Sequence, residues 1–254
     1  MRKTKFIAFT SQKGGVGKST FNIMVASCFH FLARQEVVLI DCDQPQSNVY
    51  KLRQQEIEEL KNDEEKRADF QAQERPSYGV YNASLPEALE LMKQLNGKVD
   101  MVFIDMPGTL NNPALPPIWA MLDYIFMPMH GDPFSVTATE GFVKIIREFI
   151  QKIPGNRLKG YYAFWNQRKK SVKQEYFQEV EEYFKEEQIP MLKTKVEDSV
   201  IYTRRDMRST MFPPNKQNSK IGLIPLLQEI TVIIFEQETA ASKSEKIAEQ
   251  INNG

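Results

Sequence analysis

Five short runs of consecutive apolar residues punctuate the chain: Phe6–Thr10, Val37–Asp41, Met101–Asp105, Tyr124–Met129 and Tyr161–Trp165. Near-continuous apolarity over such lengths predicts strands buried on both faces. Between them, apolar positions recur at helical spacing, which predicts helices over Ser19–Arg34, Leu85–Leu95, Thr137–Lys152, Val172–Glu187 and Ile221–Glu236. Strands that alternate with helices predict an α/β fold, a mostly parallel central sheet with helices on both faces. No linker and no internal repeat interrupts the pattern, so residues 1–237 read as a single domain. Within it, residues 54–74 form a polar, acidic, helix-prone insert, expected to project from the body, and residues 238–254 a polar tail.

Composition adds bounds. With 254 residues, 41% of them hydrophobic, the chain can fill one large core. Its 33 basic and 33 acidic residues balance, so net charge favours no partner. Their placement is uneven. Residues 157–173 carry six Lys or Arg and no acid, and residues 201–220 carry five against one, whereas the 54–74 insert holds eight acids and three bases. Such asymmetry is compatible with a basic face for phosphate. Two cysteines, Cys28 and Cys42, make a disulfide scaffold implausible, and with His30 and His130 they match no standard zinc spacing. No apolar run approaches the ~18 residues of a membrane span, and Met1-Arg2-Lys3 leads straight into the first strand, so a cytoplasmic location is expected.

The strongest chemical signal is Lys13-Gly14-Gly15-Val16-Gly17-Lys18-Ser19-Thr20, set between the first strand and the first helix. Glycines let the backbone curl so that several N–H groups converge on one anion, and the helix start adds its positive dipole end. In such a phosphate loop Lys18 reaches the β- and γ-phosphates, and the Ser19 hydroxyl ligates Mg²⁺. The loop departs from the common pattern in two ways. Gln12 stands where a glycine is usual, and a second lysine, Lys13, opens the loop.

This deviant Walker A motif resembles that of the ParA/MinD family of P-loop ATPases. The resemblance implies an ATP sandwich, a homodimer in which Lys13 crosses to the partner's nucleotide and stabilises charge on the transferring phosphoryl group. It also assigns residues after the later strands. Asp105, at the end of an apolar strand, resembles a Walker B aspartate that holds Mg²⁺ through water. Gly108 resembles the switch glycine, and Asp43 the residue that orients the attacking water, with Asp41 near the metal. Asn166 falls where family members set a polar side chain against adenine, and its amide suits that edge.

The chain also departs from the family. Relatives read Asp-x-Asp-Pro-Gln, whereas this chain has Asp41-Cys42-Asp43-Gln44-Pro45-Gln46, with one extra residue that leaves the role of Gln46 open. With the acidic insert and the stretch from Asp198 to Pro213, this resembles the ParA-type proteins carried on conjugative elements of Bacteroides-like bacteria. The resemblance further implies non-specific DNA binding after ATP closes the dimer, with Arg168, Lys169, Lys170, Arg204, Arg205 and Arg208 as the cations. A partner protein would then stimulate hydrolysis. With strand one beginning near residue 4, no helix-turn-helix is expected ahead of the loop. A MinD-like membrane-cycling regulator is the alternative, but residues 240–254 offer only Ile247 and Ile251 as large apolar residues. An iron–sulfur relative would need interface cysteines, and none follows Cys42. A ligase-like metabolic enzyme of the same fold stays open on motif alone.

Overall fold

The computed structural model describes residues 3–109, 112–169, 171–198, 208–214 and 223–235. Six strands form one sheet among them: β1 (Lys5–Phe9), β2 (Val37–Asp41), β3 (Gly79–Asn82), β4 (Met101–Asp105), β5 (Tyr124–Met129) and β6 (Gly160–Trp165). Their order is β3-β2-β4-β1-β5-β6, and every pairing is parallel. Beyond β6 the ladder continues as isolated bridges from Ala163 to Met191 and from Arg168 to Glu197. The helices are α1 (Lys18–Ser27), α2 (Asn48–Asn62), α3 (Glu64–Gln71), α4 (Leu85–Leu95), α5 (Leu115–Met121), α6 (Pro133–Glu148), α7 (Gln174–Glu186) and α8 (Leu223–Phe235).

Alternate residues of each strand feed two cores, one on each face of the sheet. Ile7, Phe9, Leu39, Phe103, Phe126 and Phe164 pack against α1 and α8. Phe6, Ala8, Ile40, Val102, Ile104, Ile125 and Met127 pack against α4, α5, α6 and α7. Aromatic rings dominate the first core, with Phe9 stacked on Phe126 at 5.3 Å and Phe21 edge-on to Phe164 at 5.0 Å. From α8 alone, Leu223, Leu226, Leu227, Ile230 and Ile234 are buried. At roughly 1.5–3 kcal/mol per side chain their transfer term is about 7–15 kcal/mol, comparable to the whole stability of a domain. The first core therefore depends on α8.

Local chemistry sets where the helices begin. Pro86 lies within a capping box in which Ser84 N–H donates to Glu87 Oε2 at 2.8 Å. Asp132 accepts from Ser135 N–H at 3.1 Å, and Pro133 opens α6. All five strands expected from sequence are in place to within a residue, and β2, β4 and β5 coincide with their apolar runs. The expected helix over residues 19–34 is α1 followed by a wider-wound π turn, Cys28–Leu32, whose Ala33 N–H reaches back five residues to Cys28 O. That turn buries Phe29, His30 and Phe31 in succession. The insert is two helices. Only α3 projects without a buried residue, whereas α2 buries Arg53 and Glu56. The polar tail, residues 238–254, lies outside the described residues.

Candidate functional site: a phosphate cradle at the strand ends

Four parallel strands deliver their C-terminal ends to one edge of the sheet, where open α/β sheets bind ligands. A cleft of about 710 Å³ opens there, floored by Gly14, Gly15 and Gly17 and by Lys18, Ser19 and Thr20 of the first turn of α1. Its far wall is made by Asp43, by Asn48, Lys51 and Gln55 of α2, and by Arg208.

Gly17, the N-cap of α1, has φ 96°, a left-handed conformation that disfavours side chains. A Cβ there would also sit 2.8 Å from Asn166 Nδ2. The close approach carries a hydrogen bond. Asn166 Nδ2 donates to Val16 O at 2.8 Å, which ties the loop to the end of β6. Asn166, expected against adenine, is thus buried, with its amide donor committed to the loop and its Oδ1 lacking a hydrogen bond among the described residues.

The two loop lysines face different ways. Lys18 lies in the cleft, and a Cβ on Gly108 would meet its Nζ at 3.3 Å, so the expected switch glycine rests on this cation. Lys13 is outside the cleft lining. Its Nζ donates to Asp132 Oδ2 at 2.5 Å, at the N-terminus of α6. Partial burial pushes Asp132 up, but the Lys13 hydrogen bond and the Ser135 N–H outweigh it and hold the carboxyl below its usual range.

Asp41 and Asp105 are register partners on β2 and β4, both fully buried. They do different work. Asp41 caps α2, its Oδ2 accepting from Val49 and Tyr50 N–H at 2.9 Å each and its Oδ1 from Asp43 N–H at 3.1 Å. Asp105 Oδ1 accepts from Asn22 Nδ2 at 2.9 Å, and Oδ2 is buried with no hydrogen bond among the described residues. Burial pushes the Asp105 carboxyl up to about 7, against the Ser19 hydroxyl and the Asn22 amide, which lower it, while Asp41 and Asp43 raise it further. A buried carboxylate oxygen in want of a partner, beside Ser19, fits a hydrated Mg²⁺ held by Ser19 directly and by Asp105 through water. Among the described residues no group of three or more His, Cys, Asp or Glu could cage a metal. Asp43 lines the cleft, and burial raises its pKa despite Lys18, which makes it a better proton acceptor than a solvated aspartate.

A family model for the CobQ/CobB/MinD/ParA nucleotide binding domain matches residues 7–240. The chain belongs to this family. Among solved structures, a plasmid partition protein from Borrelia burgdorferi B31 bound to AMPPNP has a TM-score of 0.61 at 21% identity, over 92% of this chain and 99% of that one. Apo McdA from Cyanothece gives 0.58 at 15% identity, over 97% and 98%. Cobyrinic acid a,c-diamide synthase from Mycobacterium smegmatis, with ADP and magnesium, gives 0.56 at 18% identity, over 81% and 92%. At these identities the likenesses show the fold. No curated protein matches the sequence.

For this ParA/MinD-family member, the expected DNA cations fall in different places. Arg168 is held by Glu197 at 2.9 Å and by Gln174, and stands 5.0 Å over the Phe177 ring. Lys169 is exposed, Arg208 lines the nucleotide cleft, and Lys170, Arg204 and Arg205 lie outside the described residues. Gln46 is exposed and does not line the cleft. Sequence reasoning missed Asn22, although a lone amide one turn after Lys18 in an apolar helix was a legible signal. It also missed Asp132 as the partner of Lys13.

A larger cleft, about 780 Å³, lies around Asp123 at the opposite end of the sheet. Asp123 there accepts from Phe6 N–H and binds both Arg157 and Lys159, which pins the loops around the strand starts. No helix among the described residues is long and apolar enough to cross a membrane.

Proposed function

We propose that the chain is a ParA-type ATPase that binds ATP and Mg²⁺ at the phosphate loop, closes on ATP into a homodimer, holds DNA without sequence preference and releases it on hydrolysis. Its task would be the partition or positioning of a plasmid or mobile element, with a partner protein that stimulates turnover. It acts free of the membrane, in the cytoplasm and on the nucleoid when ATP-bound. The observation that carries this reading is the divergence of the two lysines. Lys18 lines the chain's own cleft, whereas Lys13 stands outside it on Asp132, which supports a role for Lys13 at another subunit's nucleotide.

Within the site, loop N–H groups and Lys18 bind and orient the polyphosphate, and Gly108, against Lys18 Nζ, couples the loop after β4 to its presence. Bound Mg²⁺ would supply charge neutralisation on the phosphates. Asp43 would hold the attacking water and accept its proton, so Asp43→Ala should leave ATP affinity intact and slow hydrolysis ~100-fold or more. Single-turnover phosphate release checks this, and wild-type turnover would move the role elsewhere.

The function itself is tested by DNA binding at low salt with ATP, with ADP and without nucleotide. ATP-selective binding is expected, with a log-affinity slope against log salt that steepens by about 0.9 per phosphate contact. Binding indifferent to nucleotide, or none, would instead favour a metabolic enzyme of this fold.

A further inference from the structure

The wall of the cleft opposite the phosphate loop comes from two segments that the loop chemistry does not explain, α2 and residues 208–212. They are riveted together behind the cleft. Arg53 donates from Nε to Thr210 Oγ1 at 2.7 Å and from Nη2 to Thr210 O at 2.6 Å. Glu56 accepts from Ser209 Oγ at 2.5 Å and from Thr210 N–H at 3.1 Å, and also from the Thr210 hydroxyl. Ser209 O accepts from Ser27 Oγ at 2.8 Å, at the end of α1, and the Ser209 hydroxyl accepts from Phe212 N–H at 2.8 Å. Thr210 is fully buried, and Arg53 and Glu56 are each 8% exposed. Phe212 packs edge-on to Phe70 of α3 at 5.9 Å.

A buried polar network of this kind is costly unless every member is satisfied, and what a satisfied one yields is a fixed geometry. Here the fixed geometry ends at Arg208. The residue immediately before the rivet presents its side chain to the same cleft as Gly14, Gly15 and Lys18. On the same wall stands Lys51, whose Nζ donates to Pro45 O at 3.3 Å. The charged lining of the cleft is therefore Lys18, Lys51 and Arg208 against the single carboxylate of Asp43. A planar guanidinium facing a phosphate cradle is suited to bidentate contact with phosphate oxygens.

We propose that Arg208 is a nucleotide-contacting residue which, with Lys51, grips the polyphosphate from the wall opposite the phosphate loop, and that the rivet between α2 and residues 209–212 positions it. This rests on the reading of the cleft as an ATP site. It takes Arg208 away from a DNA face and gives α2 a task, to carry the second jaw of the nucleotide clamp. Thr210, Arg53 and Glu56 are positioning residues, since they act on the nucleotide only through Arg208.

The test is isothermal titration of ATP, ADP and AMP, each with Mg²⁺, into the full chain and its variants. Arg208→Gln should weaken ATP and ADP about tenfold or more while AMP changes little, and Arg208→Lys should recover part of the loss. Thr210→Val, which unpins the strap, should narrow the preference for ATP over AMP, a ratio that a purely structural role would leave alone even if the melting temperature fell. Wild-type protein that binds no ATP would sink the ATPase reading. Wild-type binding with R208Q within about twofold for ATP and ADP would overturn this inference alone. So would an R208Q protein that keeps its nucleotide affinity but loses DNA binding, which would return Arg208 to the DNA face.

Discussion

Lys18→Ala abolishes ATP binding. The ammonium lies inside the cleft against Gly108, on the first turn of α1, with the loop glycines around it. Its removal deletes two or three charge-assisted hydrogen bonds to phosphate oxygens, each worth about 1.5–3 kcal/mol. The sum corresponds to an affinity loss of at least ~100-fold. The fold should survive, because the core side of α1 is made by residues from Phe21 onward and does not involve this side chain. Calorimetric titration with ATP and Mg²⁺ measures it directly, with a thermal melt as the control. Near-native affinity would remove the phosphate-loop assignment and the functional reading built on it.

Lys13→Ala gives a different phenotype from the same loop. Monomers keep their ATP affinity, since Lys13 is absent from the cleft lining and its Nζ is engaged by Asp132. Turnover falls by about 10³, the scale of a lost trans-acting cation in phosphoryl transfer. The ATP-dependent dimer weakens as well. Closure requires Lys13 to exchange Asp132 for phosphate, and Asp132 keeps its second task, as cap of α6, in either state. Sizing with ATP and steady-state hydrolysis separate the outcomes. A variant that dimerises on ATP and turns over normally would refute the trans role.

Much of this site was legible in the residues, for a physical reason. A phosphate cradle is a local object, fixed by glycine backbone freedom and the start of one helix, and so eight consecutive residues declare it. The strands next to it were equally legible, because burial on both faces writes an unbroken apolar run such as Met101–Asp105. What stayed hidden was non-local or atypical. β3 is a four-residue edge strand, half exposed to exposed, with no apolar run to mark it. Helix α5 opens on Leu115-Pro116-Pro117, where prolines in the first turn read as a loop. The split between Asp41 as helix cap and Asp105 as the carboxylate with an open oxygen depends on what surrounds each of them. Spacing alone cannot distinguish two aspartates that end neighbouring strands. Arg208 sits in a basic run, and charge density says nothing about which cleft a residue lines.

Order of synthesis gives the aromatic core a further meaning. Phe9, Phe21, Phe29 and Phe103 are made early, yet the helix that covers their face of the sheet, α8, starts only at Leu223. At ordinary elongation rates, roughly 10–40 s separate the end of α1 from the arrival of its lid. Throughout that interval the nascent chain carries an uncovered apolar surface, the kind of exposure that makes unfinished chains prone to aggregate. A chain that stops before Leu223 keeps that face of the sheet bare, however complete its phosphate loop.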